Sequence, residues 1–266
     1  MIQIKPFDKE IYITSPLIAD IDLLNAELSN VLQSGILSNF GKKHSELENK
    51  LKEYLKVANL TLFNNGTTAL LAALKSLRLK GEVITTPFTF PAVVNAIVCS
   101  GLIPVFCDID ESYNINPELI TDCITDKTSA ILAVHTFGIP CDYKKIEKIA
   151  INHNLKVIYD AAHSFGVEVD QKPIGSLGDV SMFSFHATKV YNTIEGGALV
   201  CRDKSLFEKI NLFRNFGIQG DDILCEGFNG KLNEIQALFG LLNLTLVKDE
   251  IKKREIFSYL LQRITK

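Results

Sequence analysis

Apolar residues recur at helical spacing over residues 20–33 (DIDLLNAELSNVLQ), which predicts a first helix after an irregular entry segment at 1–20. QSGILSNFGK then breaks the pattern at Gly35 and Gly41. A second amphipathic helix is expected from Ser45 to about Lys56, with Leu47, Leu51 and Leu55 on one face. Beyond it the period alternates. Short apolar runs predict strands at Leu60–Phe63, Glu82–Thr85, Pro104–Asp108, Ala130–His135 and Lys156–Tyr159. Helical patterns fall between them at Ala69–Leu79, Ala92–Ser100, from near Pro117, and at Tyr143–His153.

Strand and helix in alternation signal a mainly parallel sheet covered on both faces. Right-handed crossovers gather the loops at the strand C-terminal ends on one side, where open α/β sheets bind ligands. After residue 180 the pattern changes. SMFSFH reads as a strand and GGALVCRD as an antiparallel return strand, followed by helices over about Ser205–Phe213, Asn233–Val247 and Asp249 to the end.

Composition narrows the class. The 266 residues are 47% hydrophobic and 22% charged, ordinary for a globular protein. A net charge of −3 provides no basic field for nucleic acid or an anionic membrane surface. None of the six cysteines (Cys99, Cys107, Cys123, Cys141, Cys201, Cys225) forms a C-x-x-C pair, so they read as reduced thiols rather than disulfides or metal ligands. MIQIKPFDKEIYI has no long apolar stretch and no run approaches a membrane span, so the default expectation is cytoplasmic.

Four segments could carry chemistry, all expected at strand ends. FSFHATK (183–189) puts Lys189 in a short irregular stretch after a strand, ahead of the glycine pair in NTIEGG. Burial would lower the pKa of that amine and make it a nucleophile for an aldehyde; by itself the segment reads more readily as an exposed loop lysine. Ser184, five residues earlier, could donate to a phosphate. VIYDAAHSFG places Asp160 at the end of a hydrophobic strand, where it could pair with a protonated ring nitrogen or cap a helix, and His163 could lie against the same ring. NNGTTAL joins a strand to a helix, so Gly66, Thr67 and Thr68 could form an anion cup at a helix N-terminus, although the segment alone reads more readily as an ordinary helix cap. Phe90, just past another strand, could stack on a flat heterocycle or belong to the core. In combination, these segments provide what pyridoxal 5'-phosphate (PLP) requires: an anchored phosphate, a stacked ring, a paired pyridine nitrogen and an aldehyde held by an amine.

Together with LQSGILSNFGKKHSELENKLKEYLKV, PVFCDID, AVHTFGIPCD and GFNGKLNEIQALFGLLNL, these strings resemble the DegT/DnrJ/EryC1/StrS family of sugar aminotransferases over nearly the whole chain. The resemblance implies PLP fold type I, an α/β architecture with a mainly parallel seven-stranded sheet sandwiched by helices. It also implies roles: Lys189 as the imine lysine and proton shuttle, and Asp160 on the pyridine nitrogen. Gly66, Thr67, Thr68 and Ser184 fall at the phosphate, with Phe90 and His163 flanking the ring. Asn229 in GFNGK matches an asparagine that reaches the cofactor phosphate of a partner subunit, which implies a homodimer. No metal site is implied. Lysine rather than histidine at 189 implies transamination rather than dehydration.

Within the family, FHATKVYNTIEGG with GFNGKLNE looks most like members that aminate dTDP-4-keto-6-deoxyglucose to the 4-amino-4,6-dideoxy sugar (viosamine), with L-glutamate as donor, for surface glycans. Members usually continue into a small C-terminal domain. The expected division here is therefore a PLP-binding domain over 1–240 and, over 241–266, the start of an incomplete, truncated small domain. That truncation raises an alternative, a non-catalytic PLP-binding paralogue; another is a nucleotide-sugar aminotransferase of different specificity.

Overall fold

A computed structural model describes residue 12 and residues 14–264. Residues 1–11 and 13 of the expected entry segment lie outside the described residues. Seven strands form one sheet: β1 (Leu60–Phe63), β2 (Glu82–Thr85), β3 (Ile103–Phe106), β4 (Thr128–Val134), β5 (Lys156–Asp160), β6 (Val180–Ser184) and β7 (Gly197–Cys201). Their spatial order is β1-β7-β6-β5-β4-β2-β3. β7 is antiparallel to both its neighbours, while every other pairing is parallel. The mainly parallel seven-stranded sheet expected from the family resemblance is thus present.

Side-chain alternation along the strands divides the core in two. Ile131, Ala133, Val157 and Tyr159 face a cluster with Leu47 and Leu51 of α2 (Lys42–Tyr54) and Ile146 of α6 (Tyr143–His153). Ala130, Leu132 and Ile158 face the other side, against Ala69 and Ala73 of α3 (Gly66–Ser76), Val93 and Ile97 of α4 (Pro91–Cys99) and Ile210 of α7 (Lys204–Arg214). The leucine stripe expected on the second helix is this buried face: Leu47, Leu51 and Leu55 are at most 5% exposed.

The helix that follows β3, α5 (Pro117–Ile120), is a single turn that runs into a 3-10 turn. α1 (Ile21–Ser34) and α2 both pack on α8 (Glu234–Leu244). Leu241 of α8 and Val247 of α9 (Val247–Ile264) join the same core as α2.

Caps fix the helix starts. Asp142 Oδ1 accepts from Lys145 N at 3.2 Å, and α6 ends on Asn154 in the left-handed conformation. Asn65 starts α3, its Oδ1 accepting from Thr68 N at 2.8 Å. Helix therefore begins at Gly66, three residues before the sequence reading placed it. Among the described residues no helix is long and apolar enough to cross a membrane, and no cluster of acidic, histidine and cysteine side chains could hold a metal ion.

Candidate active site

A cavity of about 740 Å³ opens at the C-terminal ends of β1, β4, β5 and β6. Gly66, Thr67, Thr68, Phe90, Asp160, His163, Ser184 and Lys189 all line it. Four segments separated by up to 123 positions in sequence thus share one wall.

One end of the cavity is built for an anion. The first turn of α3 points its amides there, and the helix dipole adds to them. Ser184, at the end of β6, accepts from His186 N at 3.4 Å and, among the described residues, makes no other hydrogen bond through its hydroxyl, which leaves that hydrogen to donate. The second residue of the glycine pair explains how these elements come so close. A Cβ on Gly197 would lie 2.8 Å from the Asn65 carbonyl carbon and 2.9 Å from Gly66 N. Only glycine lets β7 pass beneath the turn that starts α3. Thr68 departs from the expected role: its amide is taken by Asn65 Oδ1, and its hydroxyl donates within the same turn, to Asn64 Oδ1 or Asn65 O. Thr68 therefore shapes the cup, and the open donors belong to Gly66, Thr67 and Ser184.

Asp160 is 6% exposed and caps no helix. Its Oδ1 accepts from Ala162 N at 2.9 Å, and no other hydrogen bond to its carboxylate occurs among the described residues. Burial raises its pKa to about 6, against the opposing pull of the Ala162 amide and of Lys189. Lys189 sits in a turn held by its own amide donating to His186 O at 2.9 Å. Its ammonium pKa is lowered by burial, and Asp160 partly restores it. His163 is lowered too, by burial and then by Lys189. Its ring lies near-parallel to Phe137, centroids 6.3 Å apart. Phe90 is 77% exposed beside the cavity, so it is an open aromatic surface and not a core residue.

The sequence reading missed His135, His186 and Glu195, which also line the cavity. His135 Nδ1 accepts from Cys141 N at 3.0 Å, and the ring stacks on Tyr159 at 4.6 Å. The neutral ring therefore carries its proton on Nε2, which has no hydrogen-bond partner among the described residues. Burial keeps it neutral, lowering its pKa to about 3. Asn229 does not line the cavity. It lies beside Gly230, whose carbonyl accepts from Asn64 N at 2.9 Å, and its side chain is exposed. These residues fit a flat heteroaromatic ring that carries a phosphate, an aldehyde and a protonatable nitrogen. The open donors suit the phosphate, the half-satisfied buried carboxylate suits a ring N–H, and a partly desolvated amine suits the aldehyde.

Sheet order, cavity and lining together define an α/β protein of the aminotransferase type. A model of the DegT/DnrJ/EryC1/StrS aminotransferase family matches residues 20–265, and the chain belongs to that family. It is 48% identical over 239 residues to the dTDP-4-amino-4,6-dideoxy-D-glucose transaminase of Shigella dysenteriae, covering 89% of this chain and 65% of that protein. Among solved structures it resembles Helicobacter pylori PseC, an aminotransferase involved in the biosynthesis of pseudoaminic acid, with a TM-score of 0.90 at 34% identity, over 97% of this chain and 71% of that one. It also resembles Streptococcus pneumoniae Spr1654 in its PLP-form, with a TM-score of 0.82 at 27% identity, over 90% of this chain and 67% of that one. The chain thus spans about two thirds of the length of these relatives.

Proposed function

We propose that the chain binds PLP in this cavity and moves an amino group from L-glutamate to a nucleotide-linked 4-keto-6-deoxy sugar. The substrate proposed is dTDP-4-dehydro-6-deoxy-D-glucose, the product dTDP-4-amino-4,6-dideoxy-D-glucose, made in the cytoplasm for a surface glycan. One observation carries the reading: a buried carboxylate, Asp160, and a partly desolvated amine, Lys189, face one cavity beside a set of open anion donors. The similarity to the dTDP-4-amino-4,6-dideoxy-D-glucose transaminase of Shigella dysenteriae supports the choice of sugar.

When bound, PLP supplies a ring that draws electrons from the carbon losing its proton. The Gly66 and Thr67 amides and the Ser184 hydroxyl hold its phosphate. Phe90 and His163 flank the ring, and Asp160 keeps a proton on the ring nitrogen. Lys189 Nζ, whose ammonium pKa burial lowers, would hold the cofactor's aldehyde and carry the transferred proton. Asn229 lies outside its own cavity, and in a homodimer it reaches the phosphate held by the second copy.

The test is a panel of dTDP- and UDP-linked keto-sugars incubated with L-glutamate and the PLP-loaded protein, read by mass spectrometry. The reading requires 2-oxoglutarate and a dTDP-linked 4-amino sugar. Bound cofactor without either product would replace it with the non-catalytic paralogue. An amine on a UDP-linked sugar alone would move the specificity within the family.

A further inference from the structure

With the PLP-binding groups set aside, three ionisable side chains remain on the cavity wall: the fully buried His135, and His186 and Glu195, whose side chains are exposed. The latter two are joined. Glu195 Oε1 lies 3.5 Å from His186 Nε2, and the side chains are 52% and 45% exposed. Thr188 N donates to His186 Nδ1 at 3.3 Å, and the Thr188 hydroxyl lies 2.8 Å from the same nitrogen. An acceptor role at Nδ1 leaves the proton of the neutral ring on Nε2, facing the carboxylate. The backbone on both sides is fixed. His186 O receives Lys189 N, so His186 and Lys189 close a single turn. Glu195 O accepts from Gln236 Nε2 of α8 at 2.8 Å and from Thr193 Oγ1 at 2.8 Å.

We infer that Glu195 is the sugar-recognising residue of this site, held in place by His186. The inference rests on the transaminase reading above. A carboxylate with an open oxygen accepts hydrogen bonds from hydroxyl groups, and it repels other carboxylates. The two substrates differ in that respect. L-Glutamate brings two carboxylates to the cavity, whereas the sugar brings hydroxyl donors. His186, Glu195 and Lys189 line the same cavity, so the carboxylate shares the space in which the reacting carbon must sit. The hydroxyl on the carbon next to that centre is therefore the group Glu195 takes. His186 makes no bond to substrate; it is a positioning residue that holds the carboxylate through Nε2.

The experiment titrates the PLP-loaded protein with dTDP-4-amino-4,6-dideoxyglucose and, separately, with L-glutamate, following the visible absorbance of the cofactor. Glu195→Ala should raise the half-saturating amino-sugar concentration by about ten- to a hundredfold, the range of a hydrogen bond to a charged group, and leave that for glutamate unchanged or lower. Glu195→Gln keeps shape and an acceptor oxygen and should fall between. His186→Asn should weaken the amino sugar by a few-fold only, again without moving glutamate. The amino sugar lacking the neighbouring hydroxyl should bind parent and Glu195→Ala alike. Equal losses for both probes, or no loss for the amino sugar, would overturn the assignment. A parent protein whose absorbance responds to neither probe would instead overturn the transaminase reading beneath it.

Discussion

A Cβ placed on Gly66 would lie 3.2 Å from Ser184 Cβ and 3.5 Å from Ser184 Oγ. The start of α3 and the end of β6 are therefore in direct contact, and the two sources of anion donors form a single cup. Gly66→Ala must push Ser184 or Met182 aside, since Met182 Sδ is also 3.2 Å from that Cβ. We expect PLP affinity to fall about tenfold for Gly66→Ala and by a similar factor for Ser184→Ala, which removes one hydrogen bond to a charged group. The double variant should lose less than the product of the two, because both act on one contact. Equilibrium titration of PLP by fluorescence measures all three.

Asp160 should trade stability for function. Its pKa is raised from 3.8 to about 6, so the folded protein disfavours the charged form. A raised carboxylate pKa means the contribution to stability is full below about pH 4 and is lost as pH rises through 6. At pH 8 without cofactor, Asp160→Asn should therefore be more stable than the parent, by up to about 3 kcal/mol. The difference should vanish near pH 4. With cofactor, the same variant should transfer amino groups about a hundredfold more slowly or worse, the scale for removing one aligned charge partner. Urea unfolding at several pH values and single-turnover rates test the two halves.

Two histidines act in the opposite direction. Burial and then the Arg214 charge lower His44 to about 4, and burial lowers His135 to about 3. Each folded pKa lies below the unfolded value, so the unfolded chain takes up protons first. Stability should be full above about pH 6.5 and fall as the pH drops toward 4. His44→Gln should flatten that slope, which urea midpoints across the same interval would register.

The strand runs and capped helices were legible in the sequence. Glu82–Thr85 and Tyr143–His153 match the structure residue for residue, because a short apolar run and an Asp142 cap each act locally. Features set by particular side-chain contacts, near or distant in sequence, were not legible. α3 starts early because Asn65 caps it, although Gly66 is a poor helix former. Asp160, Lys189, Phe90 and Ser184 could be named from motif order, yet the engaged donors of Thr68 appear only once Asn64 folds over it. His186 stood inside FSFHATK, but its partner Glu195 is reached only after the chain turns back into β7.

Another distant contact is an unusual helix cap. Glu234 is 3% exposed, and its carboxylate oxygens accept from Lys43 N and His44 N, both at 2.8 Å, across about 190 residues. It does for α2 what no nearby side chain does, since Gly41 offers no capping group. Glu234→Ala strips one buried and one half-buried amide of their acceptor and should cost about 2–4 kcal/mol of unfolding free energy, with Glu234→Gln costing less. Loss of under about 0.5 kcal/mol for the alanine variant would mean water replaces the cap.

The central claim is that Lys189 holds the cofactor. It is tested most directly by reducing the PLP-loaded protein with borohydride, digesting it and locating the cofactor mass by peptide sequencing. The account requires the mass on Lys189, and in Lys189→Ala neither the visible absorbance nor the labelled peptide. Label on another lysine, or an unchanged visible band in Lys189→Ala, would contradict it.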